Sequence, residues 1–366
     1  MSTTIIIRDM ARRALERATD GKQTILYTLG GQPCVMNVIP KFMLSDIIST
    51  WPASVFPAFI SGTTQISQIF IGTYQASLSG SVAVSAPMAA PLTNVTHDAA
   101  VNLARANGVG WHAMTAIESA AIALLAWRAG TVPRGNNWWG TSIENTAESG
   151  VRVDGLAPGT ESGSSITLTG SGPDSWRHDG TPFGISDLNG NCWEITPGIR
   201  LVAGELQATP NNLAAGSTTD IGPNSTNWRV FDATSSALVV PTYTGSIDGG
   251  DYVPTTPNSV RINTSAAANS IIIPTATGTA IGNVTTNNIV DVALRNLMAY
   301  GLLPPAIDAS TSSDYVKFNA SSERILLRGN HSQSKTQSGV FSWSLYESRA
   351  SSASALATFR LAYAVF

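Results

Sequence analysis

Apolar residues recur at helical spacing most plainly in 116–129, AIESAAIALLAWRA, where Ile117, Ala121, Leu124 and Leu125 fall on one face. Thr115 and Glu118 form a Thr-x-x-Glu capping box before this run, and Gly130 follows it. The pattern predicts a helix packed on the core. Weaker helical patterns cover 10–19, with three arginines on a solvated or docking face, and 97–107, capped by Thr96 and stopped before Gly108. A last one covers 290–302, ended by Gly301 and Pro304. Strand-like alternation marks 24–40, as two strands around Gly30–Pro33, and 68–85, as a hairpin broken at Leu78–Gly80. ERILLRG and GVFSWSLY read as late strands. In the second, Phe341, Trp343 and Leu345 form the inward pleat, and Ser342, Ser344 and Tyr346 are expected to point outward. Helices lie between strands in irregular order, which predicts an α+β domain rather than βαβ winding.

Between these elements the periodicity fades. Residues 131–200 are Gly-, Trp- and Asn-rich, a long irregular stretch that needs a rigid scaffold or a function. Residues 201–290 are rich in Thr, Asn, Gly and Ser with isolated β-like runs such as ALVVPTYT and SIIIPTATG, and read as an insertion of loops and short strands. Charged residues are only 12% and the net charge is −3, which excludes a basic footprint for nucleic acid or an anionic membrane surface. The short apolar run Ile5–Ile7, cut off by Arg8 and Asp9, is too brief for a signal peptide, and no stretch is long enough to span a bilayer. Synthesis in a cytoplasm, with release by a route such as lysis, is expected.

The chemistry-bearing residues are sparse. Cys34 and Cys192 are expected to be free thiols, and no Cys/His spacing suggests a metal site. His97, His112, His178 and His331 are scattered, and phosphate-loop, dinucleotide and nucleophile-elbow motifs are missing. Asp154, Asp174, Asp179 and Asp187 lie in the loop-rich stretch, where they could serve Asx-turns or a structural calcium ion. No other cofactor is expected, and the polar residues are poor material for catalysis.

Two passages carry a resemblance. GWHAMTAIESAAIALLAWRAGTVPRGNNWWG (110–140) resembles the helix and following loop of the formylglycine-generating-enzyme (sulfatase-modifying-factor) type of C-type lectin-like fold. SGPDSWRHDGTPFGISDLNGNCWEI (171–195) is similar to the segment of that family that ends in Gly-Asn-Val-Trp-Glu-Trp. A third passage, LLRGNHSQSKTQSGVFSWSLYESRA (326–350) with Phe359–Arg360, resembles the C-terminal cassette of phage tail-tip proteins targeted by diversity-generating retroelements. Arg328, Gly329, Gly339, Val340, Phe341, Arg349, Phe359 and Arg360 match it. Asn330 replaces a Gly, Ser338 an Ala, and Thr358 and Leu361 stand where Gly and Pro are usual.

The resemblance implies a short N-terminal attachment or oligomerisation segment (1–32) and a lectin-like domain (33–366). Within the domain it implies a loop-rich insertion at 201–310 and a display cassette at 326–366. It does not imply the oxidase activity, whose paired copper-holding cysteines near the C-terminal end have no counterpart, since no Cys follows Cys192. What it implies instead is a phage virion protein at the tail-fibre tip that binds a host cell-surface receptor, protein or glycan. Other virion tail proteins would be its partners, and a homotrimer its assembly. Carried over position by position, the display residues are His331, Gln333, Ser334, Gln337, Ser342, Ser344, Tyr346, Glu347, Ser351, Ala353 and Ala355. Gln333, Gln337 and Glu347 are not residues that adenine mutagenesis of an Asn codon generates, which argues against active diversification there. A structural virion protein, a capsid decoration or baseplate part of the same fold, is the alternative expectation.

Overall fold

The structure, a computed structural model, describes residues 9–351 and 356–366. It is a mixed α+β protein in which strands outnumber helices. The five α-helices among the described residues are α1 (Met10–Ala18), α2 (Leu44–Ile47), α3 (His97–Arg105), α4 (Ala116–Ala129) and α5 (Asp291–Ala299). None is long and apolar enough to cross a membrane.

The caps sit where the residues place them. Thr96 Oγ1 accepts from Ala99 N at the start of α3. At α4, Thr115 Oγ1 accepts from Glu118 N while Glu118 Oε2 accepts from Thr115 N, and Gly130 closes the helix at φ +70°. The expected single buried face of α4 is exceeded. Its residues from Ala116 to Leu124 are all buried, Glu118 and Ser119 included. A helix apolar nearly all round is a core helix covered on every side. Glu118 tolerates this because His112 Nε2, Asn212 Nδ2 and Thr115 N each lie 2.9 Å from its carboxylate.

Two sheets organise the described residues. In the first, β1 (Gln23–Tyr27), β2 (Pro33–Pro40), β3 (Gln68–Gly72) and β4 (Trp111–Ala113) assemble with the final strand Leu361–Tyr363, in the order β1-β2-β3-(361–363)-β4. The end of the chain is thus paired between early strands. The boundary expected at 32/33 falls inside the β1–β2 hairpin, which is paired over five positions from Gln23↔Asn37 to Tyr27↔Pro33. Residues 23–32 therefore belong to the domain. The break read at Leu78–Gly80 lies in a separate small hairpin, in which Ser77–Ser79 pairs with Val82–Val84 around a turn at Gly80–Ser81.

The larger, 12-stranded sheet is built on β5 (Trp193–Val202), β6 (Glu205–Ala208), β7 (Arg261–Asn263), β8 (Tyr315–Phe318), β9 (Glu323–Gly329) and β10 (Gly339–Leu345), with the path β8-β10-β9-β5-β6-β7. The loop-rich insertion is not detached. Residues 205–208, 229–231, 261–263 and 270–272 extend this sheet beyond β5. β5 itself, buried at all ten positions, is the element that the alternation of apolar residues leaves unmarked. Pro197 and Gly198 interrupt it where the register with β9 shifts, from Ile195↔Leu327 to Arg200↔Ile325, and Gly198 adopts φ +105°.

The bulge keeps Ile195 and Arg200 on the same face, because their partners Leu327 and Ile325 are two residues apart on β9. That face holds one apolar cluster, with Trp193, Ile195, Ile325, Leu327, Phe359 and Leu361. The opposite face holds a second, in which Phe341, Trp343 and Leu345 pack with residues of α4 and α5 such as Leu124 and Leu297. The inward pleat of β10 is as expected, and Trp343 Nε1 donates to Leu302 O at 3.0 Å.

Candidate ligand-binding surface

The start of the C-terminal cassette is anchored by buried groups. Arg328 on β9 lies opposite Trp343 on β10 and donates to the carbonyls of Tyr300 and Gly301. Asp314 Oδ2 accepts from Phe341 N at 2.7 Å, and the absent side chain of Gly339 leaves room for that carboxyl. Burial raises the Asp314 carboxyl well above its usual range. The folded chain thus holds a proton that the unfolded chain releases above about pH 4. Stability from this group therefore falls as pH rises through that window. Asp314→Asn should lose this dependence, and its melting temperature should overtake that of the wild type towards neutral pH. A wild type that stays ahead in thermal melts at neutral pH would show Asp314 to be a stabilising carboxylate.

Residues 330–338, where several display residues are expected, form the loop between β9 and β10. Asn330, at φ +63° where the cassette usually has Gly, occupies the left-handed region that Asn tolerates. Its side chain closes the loop, donating to Gln337 O at 3.0 Å and accepting from Ser334 Oγ at 2.5 Å. The loop rests on the GNNWWG segment. Trp139 N donates to Ser332 O, Lys335 N donates to Asn137 O, and Lys335 Nζ lies 4.2 Å from the Trp138 ring centre. Gln333 Nε2 reaches Ser165 Oγ.

The expected display residues divide. Gln333 and Gln337 are exposed, Tyr346 is 37% exposed, and His331, Glu347 and Ser351 are half-buried. Ala353 and Ala355 lie outside the described residues. Ser334, Ser342 and Ser344 are corrections. They are 9%, 0% and 1% exposed, so none is a display position. β10 lies between β8 and β9 with apolar packing on the Trp343 side, and its serine side is roofed by longer side chains. Ser344 lies opposite Lys317 on one neighbour and Leu327 on the other. Lys317 Nζ reaches to 5.8 Å from the Trp193 ring centre, although β8 and β5 are three strand spacings apart, roughly 14 Å. Lys317 and Trp193 can meet only by passing over β10 and β9. The small serines leave that passage open.

Ser342 and Ser344 are not equivalent. Ser342 Oγ accepts from Tyr315 N at 2.9 Å and donates to Gln337 O at 2.8 Å. Ser344 Oγ has no hydrogen-bond partner among the described residues. Removing an unsatisfied buried hydroxyl is near neutral or stabilising, whereas orphaning a buried donor costs about 1–3 kcal/mol. Ser344→Ala should therefore match or exceed wild-type stability in urea, and Ser342→Ala should lose about 1–3 kcal/mol. Equal losses in both variants would contradict this assignment.

Above the serines, exposed and half-buried groups form one ridge. Lys317 Nζ lies 5.1 Å from the Tyr346 ring centre and 3.8 Å from Glu347 Oε1. His331 packs on Trp193 with ring centres 6.4 Å apart, and its Nδ1 accepts from Gln333 N. Burial, then the neighbouring Lys317, pushes His331 down to about 4, so it is neutral at physiological pH. Running from Trp138 and Lys335 through Gln333 and His331 to Lys317, Tyr346 and Glu347, the ridge offers flat rings, two ammonium groups and amides. Such a set suits recognition of a polar surface, each cation–ring contact contributing about 0.5–2 kcal/mol. Lys317, Trp193 and Trp138 are not among the residues that sequence reasoning picks out. The one available signal for Lys317 is a lone cation alternating with Val316 and Phe318 in an otherwise core-facing strand.

The remaining candidate chemistry is dispersed. Cys34 and Cys192 are free and buried, and burial pushes the Cys34 thiol up to about 11. Of the loop carboxylates, Asp154 pairs with Arg152, Asp179 accepts from Thr181, and Asp187 accepts from Gly170 N. Among the described residues no three His, Cys, Asp or Glu are grouped as metal ligands. No model of a known protein family matches this chain, and no curated protein matches it.

Proposed function

We propose that this protein is a receptor-binding component of a phage virion, a tail-fibre-tip protein on a C-type-lectin-like fold of the formylglycine-generating type, which binds a host surface through its C-terminal cassette. The observation that carries this reading is the ridge itself. Exposed Tyr346 and half-buried Glu347 flank Lys317, which the Trp193 and Tyr346 rings hold in place, and His331, bonded to exposed Gln333, packs on the same Trp193. The reading is supported by the sequence resemblance, and by the way cassette residues that match the family serve as framework while Gln333, Gln337 and Tyr346 between them are exposed. Arg349 ion-pairs with Glu323 and Asp98, and Arg360 with Glu194. Cys34 and Cys192 are free and buried in the core, and the proposal gives them no part in binding.

Rings and fixed amides on a rigid sheet give affinity at small entropic cost, and weak individual sites gain from repetition in an oligomer. Binding as a homotrimer is part of the proposal, with sedimentation as its check. The central test is retention of the purified protein on host envelope, alongside a glycan array. Lys317→Glu and Tyr346→Ala should each weaken retention at least tenfold, with melting temperatures within a few degrees of wild type. Unchanged retention in both variants, or virions that infect normally without the protein, would overturn the proposal.

Burial of Ser334, Ser342 and Ser344 favours a second reading, a structural virion protein such as a capsid decoration or baseplate part. Locating the protein on the particle by electron microscopy separates the two.

A further inference from the structure

The segment that joins the large sheet beyond β6 encloses a cavity of about 200 Å³. At about 30 Å³ per water this holds six or seven waters, or one small ring. Its floor is Arg200, whose guanidinium lies 4.2 Å from the Trp228 ring centre and is locked by Gln207 Oε1, Pro223 O and Glu323 Oε1. Those bonds use Nε and Nη1. Nη2 takes part in none of them, and Arg200 is one of the residues that line the cavity. One wall is a ladder of two tyrosines. Tyr252 is buried and held by Glu205 Oε2 and Gln207 Nε2, and Tyr243, 51% exposed, stacks on it with ring centres 4.5 Å apart. The opposite rim presents the small polar side chains of Asn224, Ser225 and Ser246.

We infer that this cavity is a second ligand site, for a single uncharged sugar ring. An exposed aromatic face backed by a fixed ring offers a surface for the C–H face of a pyranose. A planar guanidinium with a spare N–H pair and a rim of hydroxyl and amide groups match its hydroxyls. The charge balance selects against an acidic sugar. Behind the lining residues Glu205, Glu323, Asp248 and Asp251 stand against Arg200, Arg229 and Arg349, with Asp248 bonded to Asn224, Asp251 to Ser246 N and Arg229 to Thr226 O. A carboxylate ligand would meet a net negative surround.

The site is distinct from the ridge. The two sets of lining residues share no member, and Glu194 and Arg200 pair with Arg328 and Ile325 of β9, so Trp193 and Arg200 stand roughly 13 Å apart along the sheet. The inference does not depend on a phage role.

The test is titration of the full chain with methyl glycosides of neutral hexoses and N-acetylhexosamines, and with glucuronic and N-acetylneuraminic acids. The readouts are the Trp228 indole N–H resonance and intrinsic fluorescence. At least one neutral glycoside should shift the indole signal saturably, with the acids at least tenfold weaker. Tyr243→Ala and Asn224→Ala should each weaken that binding at least tenfold with the fold intact by circular dichroism. Tyr346→Ala on the ridge should leave it unchanged, so failure here and failure of the receptor-binding proposal are told apart. No saturable shift with any neutral glycoside, equal binding of the acids, or full binding by Tyr243→Ala would overturn the inference.

Discussion

Arg360→Ala should unfold this protein or leave it barely folded. Arg360 is fully buried, and each of its side-chain nitrogens is used. Nε and Nη2 grip the two oxygens of Glu194 at 3.1 and 2.5 Å, Nη1 donates to Gly72 O and Nη2 to Ser186 O. The residue thus fastens the end of the chain to β3, to β5 and to the loop before β5. Truncating it leaves the Glu194 carboxylate buried against Gln75 alone, together with two stranded carbonyls. Breaking a buried pair from one side costs about 3–5 kcal/mol, against a whole-domain stability of roughly 5–15 kcal/mol. The expected result is a large fall in soluble yield and a urea midpoint far below wild type. Arg12→Ala, which removes a surface pair with Glu16 within one helix, should cost under about 0.5 kcal/mol. An Arg360→Ala midpoint within the range of Arg12→Ala would refute the clamp.

Gly190→Ala should disable the ridge while touching none of its side chains. The segments Gly135–Asn136 and Asn189–Gly190 cross backbone on backbone, and a Cβ at Gly190 would fall on the Asn136 carbonyl. Gly190 also adopts φ +76°, a conformation that costs an L residue about 1–2 kcal/mol before any clash. From this crossing Gly190 N donates to Gly329 O, Asn191 N to Asn136 O, and Ser332 N to Asn191 O. These bonds hold both the loop at 330–338 and the Trp138–Trp139 segment. The variant should lose about 3 kcal/mol or more, and any folded fraction should bind its ligand poorly. Gly155→Ala is the control. Its φ is +73° but nothing lies within 4 Å of a Cβ there, so it should cost only the conformational term, about 1–2 kcal/mol. Similar losses at the two glycines would mean that the crossing is not what Gly190 protects.

Much of the frame is legible in the residues. The α4 cap pair, Gly130, the Thr96 cap and the β1–β2 turn are local devices, each set by hydrogen bonds and backbone preferences within a few residues. The inward pleat of Phe341, Trp343 and Leu345 follows from alternation alone. β5 is not legible in this way. Both of its faces are buried, so it shows no alternation, and Pro197–Gly198 imitates a loop while serving as a bulge.

The same physical difference separates what the residues determined by themselves from what the assembled chain decided. Local preference and polarity were enough for the α+β class, for α1, α3, α4 and α5, for the strands of 23–40 and 323–345, and for the free state of Cys34 and Cys192. Which face of β10 meets solvent was settled elsewhere, because burial depends on neighbours far along the chain. Ser342 and Ser344 alternate as exposed residues do, yet Lys317 and Trp193 close over them from strands on either side. Small size, not solvent exposure, is what their position demands. The ridge and the Arg200 cavity arise likewise from contacts across more than a hundred residues, such as Trp193 with Lys317 and Arg200 with Glu323. No local pattern encodes such contacts.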